Sequence, residues 1–352
     1  MNKLTVCLVS LAFLAVAAQA NVYLGTNVVY TTNSTPAATS GLLVRYVDYD
    51  GTILSSQYVA TNGNATAPAN PSHPLLTFQE WNLDGTGIVQ DTDIGASYIT
   101  TDGKTYAYLN VSTITGLSNG VYVTKSDGSE LTVSWGDGST DLVTAAGAVT
   151  NVHNYPSNGQ YVATLWISSG SGTYALGSDS TALSFIGGGA TTNRDMLTTL
   201  FIGSNVTAIT TGGCYNAYSL TAITIPTNVT RISTYALYQT WSMRQCTLPR
   251  GLQSIEAYMF QNGGLQSVAI PSTVSNIEST AFRSCTKLQR MAIPAGVTNI
   301  GTYGCANLYC VPSIILPSGL TQIAANALQT LSSATELTLP TNITSSGNSG
   351  LT

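Results

Sequence analysis

Two side chains of this sequence have the types needed for acid–base chemistry. Asp137 lies in the turn Trp135-Gly136-Asp137-Gly138-Ser139, and His153 follows further along. A carboxylate beside an imidazole is the simplest proton-transfer pair, provided the fold brings them within hydrogen-bond reach of a substrate. Asp137, Asp141 or the Asp91/Asp93 pair could also supply oxygen to a calcium ion, but no D-x-[DN]-x-[DN]-G loop surrounds any of them. Cleaving a glycosidic bond needs two acids facing each other in a cleft. The acids here are scattered over turns and loops. His73 and His153 are the only histidines, so no Cys/His set has zinc-ligand spacing. The reading is no catalytic residue, no metal, no cofactor and no enzyme.

Cysteine chemistry is equally sparse. Cys7 lies in the apolar N-terminal run; Cys214, Cys246, Cys285, Cys305 and Cys310 follow at irregular spacing, an odd number and no disulfide framework. Cys246 stands where other repeats carry Ile, Val or Met, and Cys214 and Cys305 stand at the Phe282 position. Buried free thiols are expected, with a Cys285–Cys310 or Cys305–Cys310 bridge as the alternative. Only 8% of residues are charged and the net charge is −5, so no basic stripe exists for nucleic acid. The 43% of hydrophobic residues argues for folded structure rather than disorder.

Residues 197–352 must position whatever the chain binds. They repeat about every 23 residues, in phase on Pro226, Pro249, Pro271, Pro294, Pro317 and Pro340, with Gly203 in the same slot one repeat earlier. A fixed period of this length marks a solenoid, in which each repeat buries its apolar face only against its neighbours. The fourth repeat shows the pattern in full: Leu265, Val268, Ile270, Pro271, Val274, Ile277, Ala281, Phe282, Cys285 and Leu288. The apolar pair before proline forms a short strand facing inward, and proline ends it without needing a ladder hydrogen bond. Each large side chain contributes roughly 1.5–3 kcal/mol when fully buried, so no repeat is stable alone.

Upstream segments differ in kind. Met1–Ala20 has Lys3, an apolar run and Ala18-Gln19-Ala20, the pattern of a cleaved secretory signal peptide. Residues 21–40 read as a linker with a short strand at Val22-Tyr23-Leu24. In residues 41–100, Leu43–Asp48 alternates as a strand, Asp50-Gly51 is a hairpin signal, and Ile53–Val59 returns. In residues 101–172, Leu131–Trp135 runs into the glycine turn, and Gly159–Ile167 is a second strong strand. Residues 173–196, with the apolar patch Leu183-Ser184-Phe185-Ile186, read as connector and N-terminal cap.

Three resemblances follow from these residues. The repeats resemble BspA-like (Treponema pallidum-type) leucine-rich repeats. Residues 41–100 resemble the Listeria–Bacteroides surface repeat through Val44, Tyr46, Asp48, Asp50-Gly51, Val59, Gly63, Ala67-Pro68, Pro71, Phe78 and Trp81, with Glu80 where that family has Gly. Residues 101–172 resemble the PKD domain through Trp135–Ser139, His153, Tyr155, Gly159, Tyr161, Thr164 and Leu165. Together they imply a mainly β chain: β-grasp-like module, immunoglobulin-like β-sandwich, then leucine-rich-repeat solenoid. The PKD resemblance places Asp137 and His153 at structural positions.

The implied role is a secreted or cell-surface adhesion protein that binds an extracellular protein or glycan and no nucleic acid. A phage tail-associated or filament-forming structural protein is the alternative, and a glycan-active enzyme a more remote one. The strand positions between the inward residues would form an outward ladder: Thr199 and Phe201, Ala222 and Thr224, Gln245 and Thr247, Ser267 and Ala269, Arg290 and Ala292, Ser313 and Ile315, Glu336 and Thr338. Phe201, Thr224, Thr247, Arg290 and Ile315 are its candidate ligand-binding points. A row at Tyr235, Tyr258 and Tyr303, near Tyr215, Tyr218, Tyr238 and Trp241, suits either sugar stacking or half-buried packing. Thr344–Thr352 holds no clear polar cap, which suggests homotypic contact through that end.

Overall fold

The computed structural model describes residues 41–112, 118–179, 184–186, 195–320, 322–341 and 345–346. The signal-peptide, linker and Val22–Leu24 expectations, Leu183, and nearly all of the C-terminal stretch lie outside them. The chain is mainly β, with no helix among the described residues, and so no helix there long and apolar enough to cross a membrane.

The first four strands form one mixed sheet. They are β1 (Leu42–Val47), β2 (Ile53–Val59), β3 (Leu76–Trp81) and β4 (Thr92–Thr100), in the order β2-β1-β4-β3. The β1–β2 hairpin turns at Asp50-Gly51 as the sequence predicts. Gly51 has φ +91°, Thr52 N–H donates to Asp50 Oδ1 at 2.9 Å, and Asp48 N–H donates to the Thr52 carbonyl at 2.8 Å. β1 and β4 run parallel at the centre, and β3 is antiparallel to β4. Val44, Tyr46, Val59, Ile88 and Ile94 make this sheet's own small core.

The next strands build two sheets around a second, far larger core. β5 (Thr105–Val111), β7 (Glu130–Ser134), β8 (Thr140–Val143) and β10 (Gly159–Ser169) lie in one; β6 (Ser118–Lys125), β9 (Gly147–Asn154) and β11 (Tyr174–Leu176) lie in the other. Neither sheet stops there. β12 (Leu197–Phe201) pairs antiparallel with β5 and parallel with β14 (Ala222–Thr224). β13 (Val206–Ile209) pairs parallel with β11 and with β15 (Arg231–Ile232). Both sheets therefore run on into the first repeats, and one hydrophobic core extends from Ala107 to Leu328. Strands from residues 105–176 cover the start of the repeat stack, so its first edges are paired rather than open. Of the expected cap segment, Tyr174–Leu176 is β11, and Phe185 and Ile186 are buried against β6.

Further repeats stack as two rows of short parallel strands, each row hydrogen-bonded as two separate sheets. The strands before proline are β16 (Gln245–Thr247), β18 (Ser267–Ala269), β20 (Arg290–Met291), β22 (Ser313–Ile315) and β24 (Glu336–Thr338). Those at the following isoleucines are β17 (Ser254–Ile255), β19 (Asn276–Ile277), β21 (Asn299–Ile300), β23 (Gln322–Ile323) and β25 (Ser345–Ser346). Proline does more than end a strand. Its carbonyl accepts the N–H three residues on, from Val229, Leu252, Val274, Val297 and Leu320, at 3.0–3.3 Å. That recurring turn carries the chain from the first row to the second. On the third side, Leu237 N–H donates to Met259, Phe260 to Ala281, Phe282 to Gly304 and Cys305 to Ala327. Cys214, Cys246, Cys285 and Cys305 are buried and free, so neither proposed bridge to Cys310 forms. Burial pushes all four thiols up to about 12.

Candidate binding surface

The pre-proline ladder was expected as an open face along its whole length. Much of it is instead covered by the chain's own first sheet. β4 crosses β14, β16, β18 and β20. Phe201, Thr224 and Thr247 are consequently buried, as are Ala222, Gln245, Ser267 and Ala269. The physical reason is a strand that the sequence hides. β4 reads Thr-Asp-Ile-Gly-Ala-Ser-Tyr-Ile-Thr, with polar residues and a glycine between its apolar ones, yet eight of its nine residues are buried. Ile94 packs in the first sheet's core, while Ala96 and Tyr98 join Leu76 and Phe201 in a separate cluster.

Specific bonds hold this seam. Asn82 Nδ2 donates to the Ala269 carbonyl at 3.0 Å while its Oδ1 accepts the Gly95 N–H at 2.8 Å. Gln79 Nε2 donates to Thr227 Oγ1, and the Thr227 N–H donates back to Gln79 Oε1, both at 3.0 Å. Arg250 donates to the Trp81 carbonyl from Nε at 2.9 Å and from Nη2 at 2.6 Å, and pairs with Asp84 at 2.5 Å. Arg290 pairs with Asp91 at 3.1 Å. Tyr49 sets its ring edge-on against Phe201, centroids 5.3 Å apart. The seam also buries Ser97 Oγ, Gln245 Nε2 and Thr247 Oγ1 without hydrogen-bond partners. Such atoms forfeit their hydration, so these are its weakest points.

The five candidate points thus divide. Phe201, Thr224 and Thr247 serve the seam. Arg290 sits at its rim, half-buried, and Ile315 is half-buried on the open part beyond it, beside exposed Ser313. Arg250, Gln79 and Asn82 were not singled out from the sequence. The available signal was Arg250 itself, a rare cation directly after a phase-setting proline.

Asp137 and His153 do meet. His153 Nε2 lies 2.7 Å from Asp137 Oδ2. Asp137 Oδ1 accepts both the Ser139 hydroxyl at 2.6 Å and the Ser139 N–H at 2.9 Å. The Ser139 hydroxyl bond above all, helped by its N–H and by His153, lowers the Asp137 carboxyl to about 2. His153 stacks on Trp135 at 4.8 Å, and Trp135 Nε1 donates to Asp141 at 2.8 Å. Asp137 bridges serine and histidine here, so among the described residues the imidazole is paired with a carboxylate and not with a hydroxyl it could activate. The four residues fasten a turn to a strand. The other candidate acids are likewise engaged: Asp93 by Arg45, Asp91 by Arg290 and the Leu43 N–H. Among the described residues no three His, Cys, Asp or Glu side chains converge on a metal-sized site.

The tyrosine row is half-buried packing. Tyr235 stacks on Tyr258 at 4.4 Å and Tyr215 on Tyr238 at 5.1 Å. Tyr235, Tyr258 and Tyr303 share a positive φ of 58–63°, which sets each ring at the same corner of its repeat.

No curated protein matches the chain. Among the solved structures that share some similarity with this chain are three leucine-rich repeat proteins. A leucine-rich repeat protein from Bacteroides ovatus is 23% identical over 42% of this chain and 38% of its own, with TM-score 0.40. A leucine rich cell surface protein from Faecalibacterium prausnitzii is 22% identical over 43% and 56%, with TM-score 0.30. The T. pallidum leucine-rich repeat protein is 26% identical over 41% and 57%, with TM-score 0.30. The matched parts span 38–57% of those chains, well short of their length. The family model described as BspA type Leucine rich repeat region matches residues 180–289 and 253–351, in six copies. The stacked repeats of this chain are thus similar to the BspA type leucine-rich repeat, over a little under half of its length.

Proposed function

We propose that the protein is a secreted or cell-surface, non-enzymatic binding protein that recognises an extracellular protein or glycan through its leucine-rich-repeat solenoid. The observation that carries this reading is the employment of the acids. Asp48, Asp91, Asp93, Asp137 and Asp141 each accept structural hydrogen bonds or ion pairs, so these five serve the fold rather than a hydrolytic acid pair. What the chain offers instead is surface: the open ladder from Arg290 to Ile315 and the flank beside it. The order β2-β1-β4-β3 with a parallel centre supports a β-grasp-like first module, and the buried Trp135 between two sheets supports an immunoglobulin-like second one. In this reading both are built onto the solenoid rather than strung before it.

The test uses the intact chain, because residues 197–352 alone would expose the edges of β12 and β13. A glycan and extracellular-protein array is expected to yield a retained ligand whose binding falls with Ile315→Asp or Arg290→Ala. An array that retains no ligand, or hydrolysis of a polysaccharide, would overturn the reading. The reading also includes weak homotypic contact through the repeat that carries exposed Leu339. A strict monomer at high concentration in light scattering would contradict that contact.

A further inference from the structure

The hairpin turn of the first sheet and the flank of the repeats enclose a cleft of about 610 Å³, a volume suited to a small oligosaccharide segment. Its walls include Asp50, Trp241, Ser242, Arg244, Gln266 and Lys287.

Two independent features meet there. The first is the state of the cations. Nine Lys and Arg residues are described. Arg45, Lys104, Arg231, Arg250 and Arg290 pair with carboxylates. Lys125 donates to the Ser129 and Val143 carbonyls, and Arg283 lies over the Tyr303 ring. Only Arg244 and Lys287 leave their charged heads without a partner among the described residues, and both line this cleft. In a chain with 8% charged residues, such a coincidence places local positive charge at one spot.

The second feature is a fixed aromatic plate. Trp241 is 48% exposed, yet its ring lies flat on Tyr218, with centroids 3.9 Å apart and planes 3° from parallel. One indole face is thereby covered and the other is free. The backbone beneath is held as well. Trp241 N–H donates to the Gln239 carbonyl at 3.0 Å, and any β-carbon at Gly264 would run into the Trp241 carbonyl. A rigid exposed plate loses little entropy on contact with a ligand.

We propose that this cleft binds a uronic-acid-containing glycan, one pyranose ring lying on the free face of Trp241 and its carboxylate held by Arg244 and Lys287. The inference rests on the binding-protein reading and gives the flank beside the open ladder a ligand class of its own. The guanidinium fork of Arg244 matches a carboxylate bidentately, and Lys287 adds a point charge. Gln266 and Ser242 present amide and hydroxyl groups to sugar hydroxyls. Asp50, whose Oδ1 accepts the Thr52 N–H, offers its carboxylate oxygens to sugar hydroxyls, donors that an acidic peptide lacks.

The experiment titrates the intact protein with oligogalacturonate and oligoglucuronate fragments, their neutral counterparts and oligoglutamate, read by calorimetry and tryptophan fluorescence. Saturable binding of one uronate series is expected, weakened by salt and by at least about tenfold in Arg244→Gln, Lys287→Gln or Trp241→Ala. All three are surface changes, and unchanged melting temperatures confirm folding. Neutral sugars or oligoglutamate binding as well as the uronates, or variants binding as wild type, overturn the proposal. So does no uronate binding at all. If the array still retains another ligand, the binding-protein reading stands without this cleft; if it retains none, both fall.

Discussion

Gly95 packs directly against Thr247, and a β-carbon on Gly95 would overlap the threonine side chain. This contact joins the first sheet to the outward ladder of the repeats. A glycine in mid-strand usually weakens the strand; here it lets two backbones approach. Replacing Gly95 with Leu is therefore expected to part the seam. Over-packing of this kind costs typically 1–3 kcal/mol. The melting transition should fall and protease should cut residues 60–75 faster than in wild type. An unchanged melt would mean the two surfaces are not in contact.

Arg250 and Arg244 make a matched comparison. Arg250 gives two hydrogen bonds to the Trp81 carbonyl and one to Asp84, whereas Arg244 is solvated. Arg250→Ala is expected to cost about 1.5–3 kcal/mol, the range for hydrogen bonds from charged groups. Arg244→Ala should stay within about 0.5 kcal/mol of wild type. Denaturant midpoints of the two variants check the order.

Acid sensitivity follows from Asp137. Its folded-state carboxyl is lowered from 3.8 to about 2, chiefly by the Ser139 hydroxyl. A depressed pKa contributes stability that is full above the unfolded value and is lost as pH falls through the folded value. The wild-type melting temperature should drop between about pH 4 and pH 2, and Asp137→Asn should flatten that part of the profile. Parallel profiles for the two proteins would remove Asp137 from the account.

The thiols give a chemical test of the repeat core. Burial raises Cys214, Cys246, Cys285 and Cys305 to about 12, so almost no thiolate forms near neutral pH. A thiol reagent at pH 8 should leave all four unmodified in the folded protein and label them after denaturation, as read by peptide mass spectrometry. Rapid labelling of Cys246 in the native state would contradict the stacking.

The repeats were legible because one proline per turn keeps phase. Val268, Ile270, Val274, Ile277, Phe282 and Cys285 are all buried where the period places them. The Asp50-Gly51 hairpin was legible for a similar reason, since its φ demand is written in residue type. β4 was not. Its Asp93 and Ser97 look like surface residues, but Asp93 is neutralised by Arg45 and Ser97 lies under the seam. Local pattern cannot tell a polar residue facing water from one facing another sheet. The joining of β5 to β12 and of β6 to β11 was hidden for the same reason. Strand edges carry no label for distant partners, so residues 101–172 read as a separate body although their core is continuous with the repeats. The open part of the candidate surface could not be delimited until its cover was known.

The central claim is that the chain covers part of its own ladder, and a cross-link tests it most directly. In Gly95→Cys/Thr247→Cys, the two β-carbons start 2.8 Å apart, nearer than the roughly 3.5–4.5 Å of a disulfide, so the strands need part by only about 1 Å to be bridged. Mild oxidation of the folded protein is expected to join the peptides containing residues 95 and 247 nearly completely, with no change in molecular mass. Free, rapidly alkylated thiols at both positions would contradict the account.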